Sequence, residues 1–198
     1  MGLDFDYTDG KTPLDEDEKE GLLIMTITTR GELDEFEQLG VEKAIEWSMK
    51  KTFTLDQILT EEFVKELHKK MFEDIWKWAG EFRTSNKNLG VDKNQIRIEL
   101  KKLLDDCRFW IVNKVFVKDE IAVRFSPRIV NIHPFANGNG RHSRLMGDIL
   151  VSHGLGQPHF SWGSINLTVK GAARSAYLNA IHEADENNYQ PLIGFARQ

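Results

Sequence analysis

Helical periodicity limits the possible folds of this chain more than any other feature, and it is clearest in LTEEFVKELHKKMFEDIWKWAG at residues 59–80. Apolar side chains recur there three or four positions apart, at Phe63, Val64, Leu67, Met71, Ile75 and Trp78. This spacing places them on one face of an α-helix, which Gly80 is expected to end. Because such a face is stable only when it is buried, the pattern predicts a helix that packs against other helices.

The same periodicity recurs along most of the chain. Residues 31–51 carry apolar side chains at mostly helical spacing, at Leu33, Phe36, Leu39, Ile45 and Trp47. Further helices are predicted at about 98–114, 118–133, 139–153 and 169–185, and from Pro191 onward. Thr12 and Pro13 have the pattern of an earlier helix start. Pro127 is expected either to bend its helix or to mark a boundary.

Residues 81–100, EFRTSNKNLGVDKNQIRIEL, interrupt the helical pattern. Asn86, Asn88 and Gly90 favour turns, and the residues beside them suit short extended strands. We therefore predict a β-hairpin flap on the surface between helices. The predicted fold is mainly α, a compact helical bundle with this short β-hairpin flap. It comprises an N-terminal helical extension, residues 1–50, and a core domain, residues 51–198.

Composition and charge exclude several classes of protein. The 198 residues are 40% hydrophobic and 29% charged, as in globular domains, and the net charge of −5 disfavours a broad nucleic-acid surface. The single cysteine, Cys107, allows no disulfide framework and no thiol zinc site, and we expect it to pack in the core. The sequence has no signal-peptide pattern and no apolar run long enough to span a bilayer. We therefore expect a cytoplasmic protein without membrane contact.

The stretch IHPFANGNGRHSRL at residues 132–145 lies in an unusually basic part of the chain. From Ile121 to Gly147 there is no acidic residue but four arginines, which gives a formal charge of +4. These are Arg124, Arg128, Arg141 and Arg144. Positive charge confined to one segment of an acidic chain favours a specific anion site over a track for a polyanion.

The order of residues in this stretch suits a phosphate group. The elbow Gly138–Gly140 lets a ligand approach the backbone, and a helix that begins there would aim free N–H groups at the ligand. Arg141 and Arg144 would share one helical face, and each guanidinium could form bidentate hydrogen bonds with a phosphate group. His133 is suited to accept a proton from a hydroxyl near neutral pH, and Phe135 is expected to point inward. A tight turn, a capping histidine and solvated arginines explain each feature singly, whereas their combination favours a phosphate site.

The run His133-Pro134-Phe135-Ala136-Asn137-Gly138-Asn139-Gly140-Arg141-His142-Ser143-Arg144 resembles the Fic motif HPFx(D/E)GNGRxxR. WKWAGEFRTSNKNLGV and YLNAIHEADENNYQPLIGF are also similar to Fic proteins, and TPLDEDEKEGLLIMTITTRGELDEFE resembles a bacterial subgroup called mobile mystery protein B. The resemblance covers nearly the whole chain. It implies the Fic fold and a protein adenylyltransferase, which moves AMP from ATP to a Ser, Thr or Tyr hydroxyl of a target protein. ATP is the implied substrate and Mg²⁺ the implied metal.

The resemblance also assigns roles to residues of the stretch. His133 is implied as the general base. The backbone of Gly138–Gly140, together with Asn139, is implied to hold the phosphates. Arg141 and Arg144 are implied to grip the β and γ phosphate groups.

Two further regions are implied to meet substrates. The flap is implied to dock the backbone of the target as an added strand, through Thr84, Asn88, Leu89, Gly90 and Val91. Tyr177 and Asn179 are implied to border the adenine, with helix packing as the alternative explanation of both.

Two positions bear on which chemistry is implied. Fic proteins usually have Asp or Glu at the position of Asn137, where it holds Mg²⁺ between the phosphates. Asn137 is a neutral oxygen ligand that still suits a hydrated Mg²⁺. If the metal site is merely weak, Asn137→Asp is expected to raise metal-dependent activity. Doc-type relatives phosphorylate their targets and carry Lys at the position of Gly140, so Gly140 favours AMP transfer.

The N-terminal extension contains a pattern with two explanations. Many Fic proteins carry an inhibitory helix, (S/T)xxxE(G/N), whose Glu pairs with the second arginine of the motif. Thr28 and Glu32 fit this pattern and Leu33 does not; on this explanation Glu32 reaches Arg144 in the folded protein. The same segment is also a capping box with Thr29 as N-cap, and that explanation needs no inhibitor.

Three functions stay open at the level of sequence. The first is AMP transfer, the second is removal of AMP or transfer of another phosphate-containing group, and the third is a non-catalytic nucleotide-binding module. The expected partners are ATP and a target protein that the sequence does not identify. An antitoxin, as in a toxin–antitoxin pair, and a second copy of the chain are further candidates.

Overall fold

A computed structural model describes residues 19–162 and 172–198, and it is mainly helical. Its helices in these ranges are α1 (Arg30–Met49), α2 (Leu55–Ile58), α3 (Glu61–Phe72), α4 (Ile96–Val112), α5 (Lys118–Ile132), α6 (Asn139–Ile149), α7 (Ala172–Asp185) and α8 (Gln190–Arg197). A 3₁₀ turn at Lys93–Gln95 precedes α4, and a π-helical turn at Leu150–Gly154 continues α6. None of these described helices is long and apolar enough to cross a bilayer. The mainly α bundle is thus confirmed, while the predicted helix start at Thr12 and Pro13 lies outside the described residues.

The described helices pack around one core. α1 packs on α3, α4 and α6 both pack on α5, and α7 packs on α8. Leu33, Val41 and Ala44 of α1 belong to the same buried cluster as Ile129 of α5. The described part of the N-terminal extension therefore shares its core with the rest of the chain. Cys107 is buried in this core as expected, and burial raises the pKa of its thiol to about 12.

Helix α1 buries a different face from the one that its large apolar residues suggest. Its buried residues are Leu33, Glu37, Gly40, Val41, Ala44 and Ser48, whereas Phe36, Leu39 and Ile45 are exposed. A Cβ atom on Gly40 would lie 2.2 Å from the carbonyl oxygen of Met71 in α3. The two helices therefore approach closely along a side of α1 that has small residues, and this packing carries Glu37 into the interior.

Helix α3 ends at Phe72, earlier than the predicted end near Gly80. Residues 73–80 form turns instead. The reason is a contact with the segment before α1, in which the Leu23 N–H donates to the Ile75 carbonyl at 2.8 Å. Ile75 is still buried, so the apolar pattern correctly predicted burial although its last part is not helical.

The predicted β-hairpin of the flap is wrong, because residues 81–92 form bends and irregular backbone without a strand. Polar side chains hold this loop together. Asn86 Nδ2 donates to Asp92 at 2.8 Å, and Asn86 Oδ1 accepts from the Lys93 N–H at 2.8 Å. The flap is therefore an irregular loop in the place where the hairpin was expected.

Pro127 lies inside α5, which continues to Ile132. The proline therefore does not mark a helix boundary. The connection that follows, residues 133–138, joins α5 to α6 and contains the predicted phosphate-binding elbow.

Candidate functional site

The candidate site lies in the loop between α5 and α6. His133 is the C-cap of α5 in left-handed conformation, with φ of 54°, and its backbone N–H donates to the Ile129 carbonyl at 3.0 Å. Gly138, with φ of 77°, is followed by the first residue of α6, Asn139. A Cβ atom on Gly138 would lie 2.5 Å from the Phe72 ring, so glycine is required both by the backbone and by the space. The helix start predicted at the elbow is confirmed, and its first N–H groups have no partner within the helix.

The side chain of Asn139 holds the loop. Its Nδ2 donates to the Phe135 carbonyl at 2.8 Å, and its Oδ1 accepts from the Phe135 N–H at 2.9 Å. Asn139 and Phe135 are both buried, so the inward position of Phe135 is confirmed. The side chain of Asn139 is therefore engaged within the loop, and a phosphate role for Asn139, which stays a prediction, would have to use its backbone N–H.

His68 of α3 also holds the loop between α5 and α6 in place. Its Nδ1 accepts from the Gly80 N–H at 2.9 Å, so its Nε2 carries the proton and donates to the Asn137 carbonyl at 3.1 Å. The ring stacks on Phe135 at 3.7 Å. Burial first, and then the neighbouring His142, hold the pKa of His68 well below its usual 6.5. The only sequence signal for His68 is its place on the buried face of α3.

His133, the predicted base, is 6% exposed. Burial is the main cause that lowers its pKa to about 4, and the Arg83 guanidinium lowers it further, whereas a hydrogen bond with the backbone of Val130 raises it. The imidazole is therefore neutral at pH 7, which is the form that accepts a proton.

Arg83 joins the flap to this loop. Its Nε donates to the His133 carbonyl at 2.7 Å, and its two terminal nitrogens donate to the carbonyls of Ser85 and Val91. A Cβ atom on Gly90, whose φ is 96°, would lie 2.4 Å from the Cβ of His133. The structure therefore brings Gly90 of the flap against the predicted base, and it does so through Arg83, a residue without any motif of its own.

Arg141 is paired with a carboxylate from α1. Glu37 Oε2 accepts from the Arg141 guanidinium at 2.6 Å. Glu37 Oε1 accepts from Asn137 Nδ2 at 2.9 Å and from Trp76 Nε1 at 2.8 Å. The Glu37 side chain is fully buried. The only sequence signal for this buried acid is the small residue Gly40 on the same face of α1.

Three of the four arginines in the acid-free segment, residues 121–147, form salt bridges. Arg124 and Arg128 each form an ion pair at 2.8 Å with an acid that lies outside the segment, and Arg141 pairs with Glu37. Within the described ranges Arg144 forms no salt bridge, although its charge acts on the Asp148 carboxyl one turn further along α6. Its guanidinium carbon lies 5.3 Å from the centre of the Tyr177 ring. Arg144 is therefore the arginine of the segment for which the structure shows no salt bridge among the described residues.

Glu32 forms the capping box of α1. Its Oε2 accepts from the backbone N–H groups of Thr28 at 2.8 Å and Thr29 at 3.0 Å, and the Thr29 hydroxyl accepts from the Glu32 N–H at 3.2 Å. The capping explanation is confirmed by these bonds. The alternative contact between Glu32 and Arg144 is not formed.

Of the two residues implied at the adenine, only Tyr177 lies near Arg144. Tyr177 is buried and its ring meets the ring of Trp162 edge-on at 6.2 Å. Asn179 is exposed two positions further along α7, where its side chain cannot share the face of Tyr177. Asp148, one turn after Arg144 in α6, accepts from Trp162 Nε1 at 2.8 Å, and burial raises the pKa of its carboxyl to about 7.

Asn137 meets part of the requirement for a Mg²⁺ ligand. Because its amide nitrogen donates to Glu37, its Oδ1 faces away from that carboxylate. Mg²⁺ keeps several waters and binds largely through nucleotide phosphates, so one amide oxygen at the elbow suits it. The described residues contain no group of three or more His, Cys, Asp or Glu side chains that could hold a metal. A magnesium ion at this loop would thus depend on the nucleotide for its other ligands.

Comparison with known proteins matches residues 58–151 to the model of the Fic/DOC family. The chain is 24% identical to a protein adenylyltransferase Fic from Aedes aegypti over 163 residues, 80% of this chain and 31% of that protein. It is 21% identical to a protein of the same name from Nematostella vectensis over 175 residues, 86% of this chain and 39% of that protein. The chain thus spans between 31% and 39% of the length of these curated relatives.

A solved structure has the same architecture. The crystal structure of BepC from Bartonella tribocorum, a VirB-translocated effector with bound AMPPNP, matches with a TM-score of 0.66 at 20% identity, over 92% of this chain and 97% of that one. These matches do not test the mobile mystery protein B subgroup, which stays a prediction. The stretch from His133 to Arg144 lies inside the residues matched to the family model, and Glu37 lies before them. Residues 58–151 are thus similar to the Fic/DOC family model, and the fold of the chain is similar to that of BepC.

Proposed function

We propose that this chain is a protein adenylyltransferase that moves AMP from ATP to a Ser, Thr or Tyr hydroxyl of a target protein. The proposal depends above all on His133, a buried, neutral imidazole that ends α5 just before the N-terminus of α6. The names of the curated relatives and the AMPPNP bound to BepC support a nucleotide substrate.

In the proposed reaction, the target hydroxyl oxygen attacks the α-phosphorus of ATP while His133 takes the hydroxyl proton. The bond from the α-phosphorus to the bridging oxygen breaks, and pyrophosphate leaves. The backbone N–H groups at the start of α6 bind phosphate oxygens, and Arg141 and Arg144 stabilise the charge that collects on the leaving group. Mg²⁺ bound by Asn137 Oδ1 and the nucleotide would neutralise part of that charge.

The flap is proposed to place the target. Because Gly90 packs against His133, a target segment lying along Thr84 to Val91 would bring its hydroxyl to the base. Leu89 is 49% exposed and offers an apolar contact to such a segment. The irregular backbone of the flap means that docking would begin from a loop and not from a preformed strand.

A nucleotide-binding module without transfer activity is the second candidate. Two observations favour it: Glu37 already neutralises Arg141, and Asn137 brings no charge to a metal. Binding of ATP without transfer is what this candidate predicts.

Labelled ATP separates the candidates in one experiment. The protein is incubated with a host lysate and with ATP labelled on either the α- or the γ-phosphate. We expect label on protein from α-labelled ATP only, and we expect His133→Ala to reduce it by about 10²–10⁴-fold because a general base is lost. ATP binding by His133→Ala should stay near the parent value. Label from γ-labelled ATP would indicate phosphorylation, and binding without any labelling would indicate the module.

A further inference from the structure

A buried acid from α1 reaches the loop that is proposed to bind phosphate. Glu37 lies in α1, before the residues matched to the family model, and its side chain is fully buried. A buried carboxylate is costly unless hydrogen bonds replace its water. Three donors do so here, from Trp76, Asn137 and Arg141, at 2.6–2.9 Å. Asn137 belongs to the loop that is proposed to bind phosphate, and Arg141 lies in the first turn of α6, which follows it.

Glu37 determines which atom of the Asn137 side-chain amide faces it and which faces away from it. A carboxylate that receives three donors acts only as an acceptor, so the Asn137 atom beside it has to be the amide nitrogen. Oδ1 of Asn137 is thereby turned away from Glu37. Within the described ranges this oxygen accepts no hydrogen bond from the protein, and Asn137 is half-buried. An oxygen with lone pairs is thus presented beside the elbow.

Glu37 also fixes the direction of Arg141. The guanidinium donates from one terminal nitrogen to Glu37, and its carbon lies 5.1 Å from the centre of the Phe72 ring. A guanidinium has five N–H donors, so one contact with Glu37 leaves others for a ligand. Held on two sides, Arg141 loses little freedom when a phosphate binds.

We propose that Glu37 is a positioning residue of the phosphate site, which orients Asn137 Oδ1 toward a hydrated cation and holds Arg141 ready for phosphate. The inference rests on the nucleotide-binding role proposed above. It also makes Asn137 and Glu37 a matched pair, one amide facing one carboxylate. The expectation that Asn137→Asp raises metal-dependent activity is thereby reversed, because an aspartate there would face Glu37.

Four proteins test the pair: the parent, Glu37→Gln, Asn137→Asp and the double variant. In Glu37→Gln the new side chain has one acceptor oxygen and one NH₂ group, so it cannot accept all three donors. Asn137 would then turn its own oxygen inward to meet the new NH₂ group. In Asn137→Asp two carboxylates would face each other at hydrogen-bonding distance, which is unfavourable. In the double variant an amide again faces a carboxylate, with the two groups exchanged.

The affinity for ATP is measured by calorimetry with Mg²⁺ and with EDTA. Each single variant should weaken binding of ATP with Mg²⁺ by about tenfold or more, as is usual for groups that orient metal ligands. Binding in EDTA should change less. The double variant should recover to within about threefold of the parent. Glu35→Gln, on the exposed side of the same helix, is the matched control and should bind as the parent does.

Melting temperatures measured without nucleotide give a second, independent double-mutant cycle on the same four proteins. Asn137→Asp should lower the melting temperature by several degrees, and adding Glu37→Gln should restore most of the loss. If Glu37→Gln alone does not fold, recovery of folding in the double variant is the expected result. Tighter ATP binding by Glu37→Gln would overturn the proposal, because Glu37 would then block the site. Additive losses in melting temperature, or no recovery in the double variant, would overturn it as well. If no protein binds ATP, the proposed function fails, and the melting cycle alone decides the pairing.

Discussion

At the scale of single residues, burial sets the protonation of the proposed base. His133 would be partly protonated near pH 6.5 in an exposed position. In the structure its pKa is lowered to about 4, first by burial and then by Arg83, which also anchors the flap. One arginine therefore both holds the flap over the base and keeps that base neutral.

His133 should accordingly stay neutral in the folded protein throughout the pH range from about 7 to about 5.5, above its lowered pKa. A ¹³C- or ¹⁵N-detected NMR titration of its ring, assigned with His133→Ala, is expected to show no midpoint in that range. The kcat/KM of AMP transfer should likewise show no decrease caused by protonation of His133 at any pH above about 5. A ring midpoint near the ordinary value of about 6.5 would contradict the burial that the structure gives to this side chain.

At the scale of elements, the contact between α1 and α3 carries Glu37 to the site. Gly40 makes that contact possible, since any Cβ there would meet the main-chain carbonyl of Met71 at 2.2 Å. Main-chain atoms of a packed helix do not move as freely as the end of a side chain. The placement of Glu37 thus depends on a glycine one turn away on the same face.

Gly40→Ala should lower the free energy of unfolding by about 1–3 kcal/mol, as overpacking does, although alanine favours helix more than glycine. It should also weaken ATP binding, because α1 must shift and take Glu37 with it. Gly31→Ala, in the same helix, is the control and should not lose stability, because the nearest neighbour of its new Cβ would be the Thr29 hydroxyl at 4.0 Å. Urea unfolding and calorimetry measure both effects. A Gly40→Ala protein that is as stable as Gly31→Ala would refute the tight contact.

At the scale of the whole molecule, buried titratable groups link stability to pH. Burial lowers the pKa of His68, His133 and His142, the last two to about 4. Each group binds a proton more readily in the unfolded chain, where its pKa is near 6.5. Their contribution to stability is therefore complete above pH 6.5 and is lost as the pH falls toward 4. Asp148 acts in the opposite sense, because its pKa is raised to about 7, and its contribution is lost as the pH rises from about 4 to 7.

Three histidines outweigh one aspartate, so the free energy of unfolding should fall as the pH is lowered from about 6.5 to about 4.5. His142 alone accounts for about 3 kcal/mol over the full range between its two pKa values, at about 1.4 kcal/mol per unit. Urea midpoints at about pH 7, 5.5 and 4.5 measure the loss. Asp148→Asn should make the loss steeper, because it removes the opposing group. A midpoint that does not change across this range would contradict the burial of the histidines.

The sequence alone determined the helical class of the molecule and the place of most helices, from α1 to the C-terminal α8. It also located the stretch from His133 to Arg144, with its loop and helix start, and the capping box at Glu32. These features depend on residues within one or two helical turns of each other, so periodicity, glycines and capping side chains specify them locally. The capping box formed as its pattern predicts because both partners lie three positions apart.

Only the tertiary structure decided which groups surround that loop. Glu37 is separated by 100 residues from Asn137 and by 104 from Arg141. Local patterns cannot encode such a pair, because it exists only once α1 packs on α3. The same holds for the early end of α3, where the segment before α1 bonds to residues that the apolar pattern assigned to the helix. Contacts between distant segments override the local helical preference there, and they also pair Arg128 with Asp106 and Arg141 with Glu37.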